Sequence, residues 1–178
     1  MMRSADLTPL ARDVMGLPAS LGLVFFSFVA AYLLVVLPWS GAWLMARPDF
    51  VLLVLLFWTL HQPLSIGQGF AFAAGLLMDV SDSMLLGQHA LAYVIAVFVA
   101  QIFRVRILQF HIPEQTLHVL GITLVATSVM LTLNLLLGAD FPGISYFVSP
   151  VVTALLWGPV NWILYLPAVR RRRRDAAS

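Results

Sequence analysis

The chain has 178 residues, of which 61% are hydrophobic and only 10% charged, with a mean hydropathy of +0.96; soluble domains average about 45 to 50% apolar and about 25% charged. That excess excludes a soluble single-domain enzyme, a secreted disulfide scaffold and a disordered chain, and leaves one domain built for lipid. Net charge is +2, cysteine and lysine are absent, and all ten basic residues are arginine, which removes disulfides, thiolate metal sites, Schiff bases and the phosphate-loop lysine.

A helix that crosses a membrane needs about 20 mainly apolar residues. The first such window is Pro18 to Leu37. It is read as a retained span and not as a signal peptide, because two acids accompany the two arginines before it, its apolar core is long, and no small-residue cleavage site precedes Trp39. The next stretch, Pro48 to Val80, is broken by His61, Gln62, Pro63, Gly67 and Gly69. Pro48 suits a first helical position and Pro63 a stop, so the stretch reads as two short helices, Pro48 to Pro63 and Ile66 to Val80, in a tight hairpin near a membrane surface. Three further windows follow: Gly87 to Phe103, Leu117 to Leu137 and Phe147 to Leu166. Pro159, inside the last, should kink it, with Asn161 placed to satisfy a freed carbonyl.

The expected fold is therefore an all-α, polytopic membrane bundle of six transmembrane helices, two of them short. Its parts are an N-terminal cytoplasmic tail at 1–17, a transmembrane domain at 18–168 and a basic cytoplasmic tail at 169–178. Arginine placement supports six spans, because cytoplasmic segments carry the positive excess. With both termini inside, Arg3, Arg12, Arg104, Arg106 and the run Arg170, Arg171, Arg172, Arg173 and Arg174 are internal, and Arg47 alone is external. Five spans would leave two arginines outside. The terminal run lies beside a hydrophobic segment, so it reads as attraction to membrane lipid and not to nucleic acid. Trp39 and Trp43 would mark the outer interface and Tyr165 the inner one.

Several polar residues within these spans could carry chemistry. Thr116, Thr123, Thr127 and Asn134 fall on one helical stripe; buried interhelical hydrogen bonding is preferred to a polar substrate path. Ala92, Ala96 and Ala100 form one small-residue ridge and Ala71 with Gly75 another, both suited to close helix approach. Asp79 and Asp82 would share a helix face. At a helix C-terminus an acid opposes the dipole, so Asp79 should take a donor from the Ser81 to Gln88 loop or from His89. His61, His89, His111 and His118 lack metal-ligand spacing, and there is no G-x-S-x-G or glycine-rich phosphate loop. No catalytic residue, metal site or cofactor is expected.

The order of short motifs carries a resemblance over nearly the whole chain. Arg47-Pro48-Asp49-Phe50 opens a short hydrophobic helix; Gly69-Phe70 and Gly75-Leu76-Leu77-Met78-Asp79 follow; then come Leu86-Gly87 with Ala90-Leu91, and Leu156-Trp157-Gly158-Pro159 before an arginine-rich tail. This pattern resembles MreD, the bacterial rod shape-determining family of the inner membrane. The resemblance implies a non-enzymatic assembly component of the cell-elongation machinery, needed for rod shape and lateral peptidoglycan synthesis. Its implied partners are the bitopic protein MreC, filaments of the actin-like MreB, and the elongation glycosyltransferase and transpeptidase pair. Arg47, Pro48, Asp49, Gly69, Gly75, Asp79 and Gly87 carry over as a structural signature, with no reaction assigned to them. The family is also similar to the substrate-binding membrane subunits of energy-coupling-factor transporters, which have six helices. That likeness supplies the alternative function, a small-molecule-binding subunit of a vitamin-type transporter.

Overall fold

The computed structural model describes residues 21–41, 44, 46–63, 66–82 and 86–165, and these are helical with short connections. Among the described residues the α-helices follow in the order α1 (Leu21–Val36), α2 (Phe50–His61), α3 (Gln68–Ser81), α4 (Gln88–Gln109), α5 (Ile112–Leu136) and α6 (Val148–Leu155). A 3-10 turn at Ile144–Phe147 leads into α6, and helix resumes over 157–165 after a turn at Leu156. The expected tails at 1–17 and 169–178, Trp43 and the arginine run Arg170 to Arg174 lie outside the described residues.

Among the described residues three helical segments are long and apolar enough to cross a membrane: Gln88–Gln109, Ile112–Leu136 and Ile144–Tyr165. Leu21–Val36 and Phe50–His61 are apolar but shorter. α2 explains its own brevity. Every residue from Val51 to His61 is buried, because α1, α4 and α6 all pack against it. A helix that is apolar on all sides belongs inside protein, and α2 forms the axis of the bundle.

The two short helices do not form the expected tight hairpin. The principal partner of α3 is α4, while α2 packs on α1, α4 and α6. Glycine dictates the α3–α4 contact: a Cβ on Gly75 would lie 2.5 Å from the Ala90 amide nitrogen and 2.7 Å from the His89 carbonyl carbon. Only a residue without a side chain allows the two backbones this approach. Ala71, Ala92, Ala96 and Ala100 are fully buried in the same core. Polar side chains also tie helices together. Trp58 Nε1 donates to Ser27 Oγ at 2.8 Å, Arg104 Nε to the Leu60 carbonyl at 2.6 Å, and Trp157 Nε1 to Gln115 Oε1 at 3.0 Å.

Two details of the helix boundaries differ from expectation. Pro48 does not begin α2. Asp49 is its N-cap, accepting from the Leu52 amide at 2.8 Å, since a carboxylate satisfies a free first-turn N–H that proline cannot cap. The last span breaks at Leu156 and not at Pro159 itself. Proline removes the hydrogen bond to the carbonyl four residues earlier, here Leu155, so its disturbance falls one turn upstream.

Candidate functional site

At the end of the bundle where α2, α4 and α6 begin and α3 ends, the structure gathers Arg47, Asp49, Asp79 and Asp82, four of the eight charged side chains among the described residues. Asp79 closes α3 and is 1% exposed. Its Oδ2 accepts from the Gly87 amide at 2.7 Å and from the Ala90 amide at 3.4 Å. Its Oδ1 accepts from the His89 amide at 2.7 Å and lies 2.9 Å from His89 Nδ1. The carboxylate therefore caps the N-terminus of α4 from outside that helix, where the dipole favours negative charge. Gly87, at φ +103°, supplies the left-handed turn that aims these amides at it.

A second carboxylate repeats the arrangement at α2. Besides capping its own helix, Asp49 receives the Tyr93 hydroxyl, which lies 2.7 Å from both carboxylate oxygens. The Asp49 amide donates to Thr153 Oγ1 at 2.9 Å. Arg47 ties a third element into the junction. Its Nη2 contacts Asp82 Oδ2 at 2.6 Å, and its carbonyl accepts from Ser149 Oγ at 2.6 Å. Since His89 Nε2 lies 3.9 Å from the same Asp82 oxygen, Asp79, His89, Asp82 and Arg47 form one continuous polar chain from α3 and α4 to the start of α2.

Of the seven signature residues, Arg47, Pro48, Asp49, Gly75, Asp79 and Gly87 converge on this junction and the α3–α4 contact beneath it. Gly69 does not. It is exposed in the first turn of α3, with open space where a Cβ would stand. Tyr93, Ser149 and Thr153 were not anticipated. Their spacing carried a signal, since His89 with Tyr93 and Ser149 with Thr153 are four apart and so share a helix face.

The threonine stripe on α5 divides. Thr123 is buried and donates to the Leu120 and Pro150 carbonyls at 3.0 and 3.3 Å, as interhelical bonding requires. Thr116 is half-buried and bonds within its own helix. The other histidines serve locally: His61 stacks on Phe57, His118 stacks on Phe110, and the His111 amide donates to Glu114. Among the described residues no group of three or more histidine and acidic side chains is placed to hold a metal ion.

A cavity of about 390 Å³ opens beside the junction. Arg47, Asp49, Asp82 and His89 border it, as do Thr123 and Thr127 of α5. Its volume lies within the range of about 300 to 1,000 Å³ common to small-molecule sites.

A family model described as rod shape-determining protein MreD matches residues 18–170. The chain belongs to the MreD family. The rod shape-determining protein MreD of Haemophilus influenzae (strain ATCC 51907 / DSM 11121 / KW20 / Rd) is 39% identical over 64 residues, which cover 36% of this chain and 40% of that relative. The chain thus aligns with less than half of the length of this curated MreD. No solved structure matches. Membership in the MreD family makes this a membrane protein, and its long apolar helices agree with that.

Proposed function

We propose that the protein is a non-enzymatic assembly component of the bacterial cell-elongation machinery, acting in rod shape and lateral peptidoglycan synthesis by binding an MreC-like bitopic protein. The single observation that carries this reading is the family match over 18–170. The MreB filament and the elongation glycosyltransferase and transpeptidase pair are further partners in this reading. Packing supports it: the polar junction is spent on holding α2, α3, α4 and α6 in register, which suits a protein whose product is a fixed surface. The outer faces of α1 and α4, with Phe25, Phe26, Leu33, Phe98 and Ile102 exposed, offer apolar surface to lipid or to a partner helix.

In this reading the domain at 18–168 crosses the bacterial inner membrane six times, with the tails 1–17 and 169–178 cytoplasmic. In this reading the six-helix plan resembles that of the membrane subunits of energy-coupling-factor transporters. The short α2 spans as a protein-enclosed axis, and the junction around Arg47 faces outward, away from Arg104 and Arg106. Reporter fusions test the topology: cytoplasmic signal is expected at residue 178 and periplasmic signal near Asp140.

Affinity purification from membranes tests the function. It should recover an MreC-like partner, and depletion should round rod-shaped cells. The second reading, a small-molecule-binding subunit of a vitamin-type transporter, draws on the cavity. Tight co-purification of a vitamin-like ligand with normal shape on depletion would favour it.

A further inference from the structure

We propose that the cavity beside the junction binds one uncharged, hydroxyl-rich ring or headgroup, of the kind a hexose presents, with Gln88 as its principal acceptor. Gln88 is the first residue of α4, is 4% exposed and borders the cavity. Its Oε1 has no hydrogen-bond partner among the described residues. A buried carbonyl oxygen left unpaired is destabilising, and native proteins nearly always supply it with a donor. Thr59 Oγ1 is the other such atom, but Thr59 does not border the cavity. Among the described residues, Gln88 alone combines an unpartnered buried acceptor with a place in the cavity wall.

The rest of the wall defines the ligand's chemistry. Arg47 and Asp82 are paired at 2.6 Å, and the carboxylate of Asp49 is engaged by Tyr93 and the Leu52 amide. With two carboxylates to one guanidinium, the cavity's field opposes an anion, so a phosphate or carboxylate is a poor occupant. Gln88 Oε1 calls for a donor. Thr127, Ser145 and Tyr146 also line the cavity and carry hydroxyls, which both donate and accept. A group bearing several hydroxyls meets both needs, because one O–H can donate to Gln88 while other oxygens accept from the hydroxyls of the lining. Met78, Met130 and Leu52 give the C–H face of such a ring an apolar surface. At about 390 Å³ the space suits a headgroup and not a whole lipid, so the ring can come from a glycolipid headgroup or from a free saccharide. The inference goes beyond the assembly reading and does not depend on it.

The test uses the full chain in phosphatidylcholine nanodiscs, with thermal unfolding followed by tryptophan fluorescence. Monoglucosyl diacylglycerol in the bilayer and methyl glucoside in solution are the two probes, and inorganic phosphate is the control. Saturable binding and a raised Tm are expected with one glucosyl probe, and which probe acts identifies the source. Gln88→Leu should weaken that binding about tenfold or more, the loss of one well-made hydrogen bond. Without probe, the same variant should unfold at or above the wild-type temperature, because the orphaned oxygen is gone. Thr127→Val, at another lining residue, should also weaken binding and carries the test if Gln88→Leu does not fold. Saturable binding of neither glucosyl probe, wild-type affinity in the folded variants, or equal stabilisation by phosphate would each overturn the proposal.

Discussion

Asp79, the last acidic residue of α3, accepts hydrogen bonds from the backbone amide of His89 and is bonded to its ring Nδ1, at 2.7 and 2.9 Å. One carboxylate thus terminates one helix and starts the next. At the end of its own helix it opposes the dipole, and at the start of α4 it complements one. The second effect is supported by three backbone amides, and it outweighs the first because the charge is bonded directly to the α4 donors.

This geometry sharpens the consequence of substitution. Asp79→Asn keeps one acceptor oxygen but turns an NH2 group toward amides that also donate, so it should cost about 1 to 3 kcal/mol. Local loop fixation by a single oxygen would have made that change nearly neutral. Asp79→Leu leaves the Gly87 and His89 donors without any acceptor and should cost roughly 3 kcal/mol or more. Melting temperatures of the purified variants give the order wild type, Asn, Leu; an unchanged Asn variant would show that only one oxygen matters.

Gly75 and Gly69 make a matched pair on one helix. Gly75→Ala forces a methyl into the Ala90 backbone and should cost about 1 to 3 kcal/mol by pushing α3 off α4. Gly69→Ala meets open space and should be neutral or stabilising by up to about 1 kcal/mol, because alanine loses less backbone entropy in a helix. Thermal unfolding of both checks the sign of each. Similar losses in the two would mean that the close approach is not what requires glycine at 75.

How far the sequence could be read follows from the same residues. Composition and window length located α1, α4, α5 and the last span, since lipid leaves one periodic and nearly chargeless signature. The small-residue pair Ala71 and Gly75 correctly marked a close contact, but pattern alone could not say that α4, and not α2, fills it. Pairing between helices is a tertiary choice. For Asp79, His89 and loop amides were foreseeable as donors. The role of Tyr93, Ser149 and Thr153 was not, because their partners lie 44 to 104 residues away in sequence.

Asp49 and Tyr93 should be energetically coupled. Asp49→Ala removes the α2 cap, worth about 0.5 to 2 kcal/mol, and strands a buried Tyr93 hydroxyl. Tyr93→Phe removes only the hydroxyl and leaves the Leu52 bond. A double-mutant cycle on unfolding free energy should return a coupling of about 1 to 3 kcal/mol. Additive effects would mean that the 2.7 Å contact contributes nothing beyond placement.

The central claim is that the junction of Arg47, Asp49, Asp79, Asp82 and His89 holds a fixed assembly surface and passes no proton or ion. The most direct measurement expresses Asp49→Ala, Gly75→Ala, Asp79→Asn and Asp79→Leu in rod-shaped cells depleted of the native chain, and records membrane abundance and cell shape together. Restoration of rod shape should fall in proportion to abundance across all four variants. If Asp79→Asn and Asp79→Leu reach normal abundance and yet both fail completely to restore shape, the junction acts through its charge, and the account is contradicted.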